Sequence, residues 1–277
     1  MAMRIVILSS SVYSESACAM AVRMAELRHV PIGVLALSTL DRGTLRRKVG
    51  QWGVREVARY ARTKLIPHRS DEKPQLRNPY LEPVLKHQGG VFRSLREVAA
   101  VHGFAIAVCN DQNAPDSIAR LKAWSPDLII FTGGNILRKQ LLEVPRLGVL
   151  NAHLGLLPEI RGMSSPEWSL LQHIPVGVTI HFMDTGIDTG PILQRYEFPH
   201  APQCESLSDL RNRLIAFGIE KAAEVVAGLD RGTIAATPQP DLDKDHQFFV
   251  MHDWLRARAA ERLTQSRLAA VPGTVNG

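Results

Sequence analysis

Residues Gly148–Gly162 read GVLNAHLGLLPEIRG. A short apolar run leads straight into Asn151 and His153. Along an extended backbone, alternation places those two side chains on the same face. Leu156, Leu157 and Pro158 then impose a rigid bend, and a charged turn closes at Arg161-Gly162. The stretch therefore reads as a strand that delivers an amide and an imidazole at its carboxyl end. In open α/β sheets ligands bind beyond the carboxyl ends of strands, where the strand order reverses.

The flanking sequence supplies such a sheet. Upstream, Arg4–Ser9 (RIVILS) is a β-branched run that reads as a buried strand. A helix follows, with Ser14 as N-cap and Ala17, Met20, Ala21, Met24 and Leu27 at helical spacing. Pro31–Ser38 is a second strand. Strand, helix, strand at this spacing is a right-handed crossover, so the sheet is expected to be parallel. Phe104–Asn110, a helix over APDSIARLKAW and the strand DLIIFTGG continue the alternation up to the quoted stretch. Downstream come a helix over SSPEWSLLQH, with Ser165 as cap and Pro166 at its first position, and two strands, GVTIHFMD and PILQRYEF, joined by the turn TGIDTG. A long amphipathic helix over SLSDLRNRLIAFGIEKAAEVVAGL is expected to end near Gly228. Residues 42–100 read as a basic insertion of helices and loops. Residues 241–277 read as a tail with one helix over FFVMHDWLRARAAERL. The expected fold is α/β: a doubly wound, mostly parallel sheet carrying the insertion and the short helical tail, with residues 1–240 as the catalytic domain.

Composition narrows the class. With 277 residues and 45% hydrophobic content the chain is globular. Its start turns polar too soon for a signal peptide, and no apolar run nears the ~20 residues that span a bilayer; a cytoplasmic protein is expected. The three cysteines, Cys18, Cys109 and Cys204, are scattered and no Cys/His cluster has zinc spacing, so neither disulfides nor a metal is expected. The net charge is +6, much of it in 42–69. That stripe reads as a solvated helix face or as an anion-steering surface, with too few aromatics for a nucleic-acid stacking platform.

Three features point to one place. Asn151 and His153 end one strand. Gly177–Pro191 (GVTIHFMDTGIDTGP) offers His181, Asp184 and Asp188 around a glycine-containing loop. Phe131–Leu137 (FTGGNIL) ends another strand in an open loop that lets backbone approach a flat ligand. In this order they closely resemble the catalytic core of the folate-dependent formyltransferases, a family that includes glycinamide ribonucleotide, methionyl-tRNA and nucleotide-sugar formyltransferases. The carrying motifs are Asn-x-His, Leu-Leu-Pro with Arg-Gly, and Gly-x-Thr-x-His leading to Asp-x-Gly-Pro. The likeness is strong over about 127–195 and weaker on the flanks.

The resemblance implies a catalytic triad of Asn151, His153 and Asp188, with His181 beside it. It implies N10-formyltetrahydrofolate as co-substrate, its pterin held largely by backbone between Asn135-Ile136-Leu137 and the loop containing Met183, Asp184 and Ile187. The chemistry suits these residues. Charge develops on the formyl oxygen, Asn151 and a protonated His153 are placed to donate to it, and Asp188 favours the imidazolium and relays the proton. Two departures bear on the acceptor. The first loop is Ser9–Ser16 without glycine, so Ser10 and Ser11 stand where purine-pathway members have a glycine-rich phosphate loop. The stretch after Pro240 is short for the C-terminal barrel of the tRNA enzymes. The expected acceptor is therefore a small-molecule primary amine, anionic in one reading: a nucleotide-linked amino sugar, or an amino-acid or metabolite amine. Nucleic acid and membrane are not expected as partners, and a homo-oligomer is left open. The alternatives are a formyltetrahydrofolate hydrolase and a non-catalytic folate-binding module.

Overall fold

The structure, a computed structural model, describes residues 3–38, 76–240 and 246–270. The basic run 42–69 lies outside the described residues, and with it the anion-steering expectation. The elements in chain order are β1 (Ile5–Ser9), α1 (Glu15–Glu26), β2 (Gly33–Leu37), α2 (Glu82–Leu85), β3 (Lys86–His87), β4 (Gly90–Val91), α3 (Leu95–His102), β5 (Ala105–Cys109), α4 (Pro115–Trp124), β6 (Leu128–Phe131), α5 (Lys139–Leu142), β7 (Gly148–His153), β8 (Arg161–Gly162), α6 (Ser165–Leu171), β9 (Gly177–Phe182), β10 (Ile192–Glu197), α7 (Leu207–Asp230), β11 (Gln247–Phe248) and α8 (Asp253–Ala270).

Seven strands form one sheet in the order β10-β9-β7-β6-β1-β2-β5. The five from β5 to β7 run parallel to their neighbours; β9 is antiparallel to both β7 and β10. The chain leaves central β1 for β2 and β5 on one side, then returns to β6 and β7 on the other. The order thus reverses between β1 and β6, whose carboxyl ends are Ser9 and Phe131. Every β1 residue is buried, as a parallel strand covered on both faces requires.

Alternation sorts the core into two layers. Ile5, Ile7, Leu150, Val178 and Ile180 share one cluster with residues of α1, α3 and α7. Val6, Leu8, Ile129 and Val149 share the other with Ile118 and Leu121 of α4 and Leu141 of α5. At about 1.5–3 kcal/mol for each large aliphatic side chain fully buried, these layers dominate the favourable side of folding.

Several boundaries differ from the sequence reading. Helix α6 is preceded by Ser164 in a left-handed conformation (φ 53°), and Ser165 is its first residue. The Ser165 hydroxyl is drawn away from capping because it donates to Gly162 O at 3.0 Å. Gly228 lies buried inside α7, which continues to Asp230; its carbonyl accepts from Thr233 N at 2.9 Å, and Gly232 takes the left-handed turn. Phe248 is not helical. It pairs in β11 with β8, its ring packs 4.9 Å from that of Trp168, and Trp168 Nε1–H donates to Phe249 O. The tail helix α8 sinks Ala259 and Leu263 into the protein, the latter in the main core. The described part of the insertion also joins that core, through Leu81, Leu85, Phe92, Leu95 and Val98. Burial pushes the Cys18 thiol up to about 12 and that of Cys204 to about 11, so both are protonated at neutral pH. No helix among the described residues is long and apolar enough to cross a membrane.

Candidate active site

The site is assembled where β7 meets β9. In the antiparallel register Asn151 faces His181 and His153 faces Thr179. Ala152 and Val178 point to the opposite face, where α7 comes so close that a Cβ on Gly218 would lie 3.6 and 3.5 Å from them. Asn151, His153, Thr179 and His181 therefore occupy the sheet face that α7 leaves free, as the alternation in NAH and GVTIHF dictates. Thr179 is fully buried and fastens the bend after β7: its hydroxyl donates to Gly155 O at 2.7 Å and accepts from Leu157 N at 2.9 Å. The Leu157–Pro158 peptide is cis.

Asp188 closes the group. Its Oδ2 lies 3.3 Å from His153 Nδ1 and accepts from Gly162 N at 2.8 Å; its Oδ1 lies 3.6 Å from His181 Nε2. His153 Nε2 donates to Ile160 O at 2.8 Å. Both ring nitrogens of His153 face oxygen acceptors, and only the doubly protonated ring donates to both. His181 is the opposite case. Its Nδ1 donates to Phe182 O at 2.8 Å, which leaves Nε2 to accept from Asn151 Nδ2 at 3.1 Å. Burial first, then the positive charge of His153, push its pKa down from 6.5 to about 4. Asn151 keeps a second N–H that no protein group takes among the described residues. In this structure His153 Nε2 is taken by Ile160 O, so the ring donates to a ligand oxygen only by exchanging that bond, whereas Asn151 has a donor free of the described residues.

A stability consequence follows from neutral His181. An unfolded chain takes up this proton near 6.5, the folded one only near 4. Between these values the unfolded state binds more protons, so the contribution is full above about 6.5 and is lost as pH falls towards 4. Denaturant midpoints at about pH 7 and about pH 5 are expected to fall less in His181→Gln than in the parent chain. An equal fall in both would assign the acid sensitivity elsewhere.

The expected folate-facing residues are placed unevenly. Ile136 is 90% exposed and Ile187 50% exposed, two apolar side chains left on the surface by loops that abut the same core cluster. Leu137 and Met183 are the anchors: both pack against that cluster, and Met183 N donates to Val149 O at 2.7 Å. The Leu137 side chain is thus part of the core. Asn135 exchanges two bonds with buried Gln112, at 3.1 and 3.2 Å. Gly134 makes this possible, since a Cβ there would lie 2.0 Å from Gln112 Oε1. Asp184 closes its own loop, accepting from Gly186 N and the Thr189 hydroxyl. Ser10 lies beside Gly133 at the reversal of strand order, and the Ser11 hydroxyl accepts from Tyr13 N. Gln112 and Gln239 were not singled out from sequence, and Arg161 and Gly162 only as the Arg-Gly pair of the motif. Alternation and the quoted Arg-Gly pair point to Thr179 and Arg161; nothing local points to Gln239. Among the described residues no group of three His, Cys, Asp or Glu is placed to hold a metal ion.

Comparison with known proteins gives the chain a family. A methionyl-tRNA formyltransferase of Trichlorobacter lovleyi is 34% identical over 191 residues, 65% of this chain and 59% of that protein. The chain spans about half the length of the curated relatives it matches. Glycinamide ribonucleotide transformylase 1 from Symbiobacterium toebii superposes with a TM-score of 0.53 at 18% identity, covering 83% of this chain and 89% of that one. WlaRD, a sugar 3N-formyl transferase solved in the presence of dTdp and 5-N-formyl-THF, gives 0.53 at 15% identity over 90% of this chain and 70% of that one. At such identities these two share the fold. The sequence profile described as Formyl transferase matches residues 83–226, more than half of the chain and the whole span from α3 through β7 and β9 to Asp188. With the motifs, the fold and this match in agreement, the chain belongs to the formyl transferase family.

Proposed function

We propose that this protein transfers a formyl group from N10-formyltetrahydrofolate to a primary amine. The observation that carries the proposal is the group in which Asp188 lies 3.3 Å from His153 Nδ1, while Asn151 beside it keeps one amide N–H free. The folate supplies the formyl carbon. Exposed Ile136 and Ile187, on loops whose Leu137 and Met183 pack against one cluster, suit a flat ring that is mostly apolar on its faces. As an amine adds to the formyl carbon, negative charge gathers on the oxygen. The free N–H of Asn151 binds that oxygen, and the His153 imidazolium, held by Asp188, adds positive charge beside it. Asp188 is the base assigned to the proton the incoming amine loses; the formyl C–N10 bond then breaks as N10 takes up a proton, and tetrahydrofolate leaves. His181 stays neutral and fixes the orientation of the Asn151 amide through its Nε2.

The acceptor is an amine. The relatives by sequence are methionyl-tRNA formyltransferases, so the α-amine of an aminoacylated tRNA is the first acceptor to try. The expectation that nucleic acid is no partner finds no support in them. A nucleotide-linked amino sugar is the second acceptor. Tetrahydrofolate release is measured with the folate alone, with methionyl-tRNA and with an amino-sugar nucleotide. Release only with an amine, together with a formylated acceptor, is expected. Equal release without any amine would make the protein a hydrolase, and no release in any arm would leave a binding module.

A further inference from the structure

We propose that Gln239 is a positioning residue for the Asp188 carboxylate, held in turn by Arg161. Asp188 stands in the left-handed region (φ 54°), which a non-glycine residue occupies at a cost unless its surroundings fix it. Two anchors fix it. At the carboxylate end, Gly162 N donates to Oδ2 at 2.8 Å. At the backbone end, Gln239 Nε2 donates to Asp188 O at 2.9 Å and to Gly190 O at 2.7 Å, spanning the turn. The remaining polar atom of Gln239, Oε1, accepts from Arg161 Nη2 at 2.9 Å and Nε at 3.2 Å.

Arg161 is 7% exposed, and this side-chain oxygen is the one hydrogen-bond partner of its guanidinium among the described residues. Its guanidinium therefore orients the Gln239 amide so that the NH₂ end meets the Asp188 loop and not the reverse. Adjacent residues 161 and 162 thus hold Asp188 from both sides, one directly and one through Gln239. Gly162 (φ 92°) admits no side chain here: a Cβ would lie 2.1 Å from Phe248 O. Gln239 is far from Asp188 in sequence. It reaches the site because Thr237 bridges to Ile192, exchanging two backbone bonds of 2.8 Å. The segment after α7 is in this way a brace behind the catalytic loop. Gln239 touches no reacting atom in this account; it acts through the position of Asp188 relative to His153.

The kinetic part rests on the formyl-transfer reading; the spectroscopic part does not. Gln239→Leu removes both contacts at similar volume. Gln239→Glu keeps an acceptor for Arg161 and loses the donor to the Asp188 loop, so it preserves the fold if the Leu variant does not. The ring nitrogen chemical shifts of His153, assigned by their loss in His153→Gln, report its contact with Asp188. Either Gln239 variant is expected to move the Nδ1 shift, and to lower kcat by roughly 10- to 100-fold with both KM values within about threefold. Unmoved His153 shifts in a folded variant overturn the proposal whatever kcat does. Moved shifts with unchanged kcat, or a loss confined to KM, overturn it as well. Absence of formyl transfer by the parent chain would sink the activity reading and leave the shift measurement to judge Gln239 alone.

Discussion

Asp188→Asn is expected to lower kcat by roughly 10²- to 10⁴-fold while the protein stays folded. The shape is nearly conserved, so the effect isolates charge and proton capacity. In the parent chain Oδ2 faces both Gly162 N–H and the His153 Nδ1–H. An Asn oxygen keeps the Gly162 bond, which sets the NH₂ group towards His181 Nε2, 3.6 Å away at the position of Oδ1. His153 then has no anion beside it, and the amide cannot take a proton from an incoming amine. The backbone bonds from Gln239 remain, because they go to main-chain carbonyls. Asp184→Asn is the matched control. Asp184 uses a single oxygen to accept from Gly186 N and Thr189 Oγ1, and an Asn oxygen does the same. It is expected to cost only a few-fold. Steady-state kcat for both variants, alongside thermal unfolding, decides the matter. An Asp184 loss equal to the Asp188 loss would remove Asp188 from its assigned role.

That pair of aspartates also marks where sequence stops being informative. Asp184-Thr185-Gly186 and Asp188-Thr189-Gly190 are identical triplets in one loop. Local chemistry gives no reason to prefer either, and the preference for Asp188 came from the family likeness. The fold separates them: the first closes the turn, the second is carried back over β7 and β9. The sheet itself was legible because its central strands, such as β1 and β6, are short buried apolar runs and a helix such as α1 carries a period-3.6 apolar face. Asn151 and His153 were legible as an alternating pair, since a two-residue period fixes the face before the partner strand is known, and His181 through its motif. Loop contacts were not. Leu137 reads the same whether it lines a slot or fills the core, and only the cluster around Val149 assigns it to the core. Gln239 follows α7 in a Pro-containing stretch with no periodicity, so its contact with Asp188 exists only in three dimensions. The two misread caps share one cause. Ser165 and Gly228 have the local chemistry of caps, and the adjoining turns use them differently: the Ser165 hydroxyl donates back to Gly162 O, and Gly228 O accepts from Thr233 N while Gly232 takes the left-handed position.

The other large effect belongs to Asn151. Asn151→Ala is expected to lower kcat by about 10²- to 10³-fold, the usual loss for one oxyanion donor, or about 2.7–4 kcal/mol of barrier. The expectation rests on how the amide is divided. One N–H is tied to His181 Nε2, which orients the group; the other is free of protein partners among the described residues and lies on the open face of the sheet. A donor fixed in this way before the reaction costs no reorganisation when charge appears on the formyl oxygen. Because a neutral formyl oxygen attracts the donor less than a developing oxyanion does, the loss is expected in kcat with little change in either KM. Ala also strips His181 of its donor, so truncation alone mixes two effects. Asn151→Asp separates them: it keeps the volume, replaces the donor by an acceptor and sets a carboxylate against neutral His181. If the oxyanion role is right, Asp is at least as damaging as Ala, since it adds repulsion where Ala leaves a gap that water can enter. If the amide serves only to hold His181, Asp is the milder change, because a carboxylate stabilises a protonated His181 and restores a hydrogen bond between the two side chains. A kcat ordering of parent, then Asp, then Ala would therefore reject Asn151 as the oxyanion donor, and the ordering parent, then Ala, then Asp or the two equal would retain it.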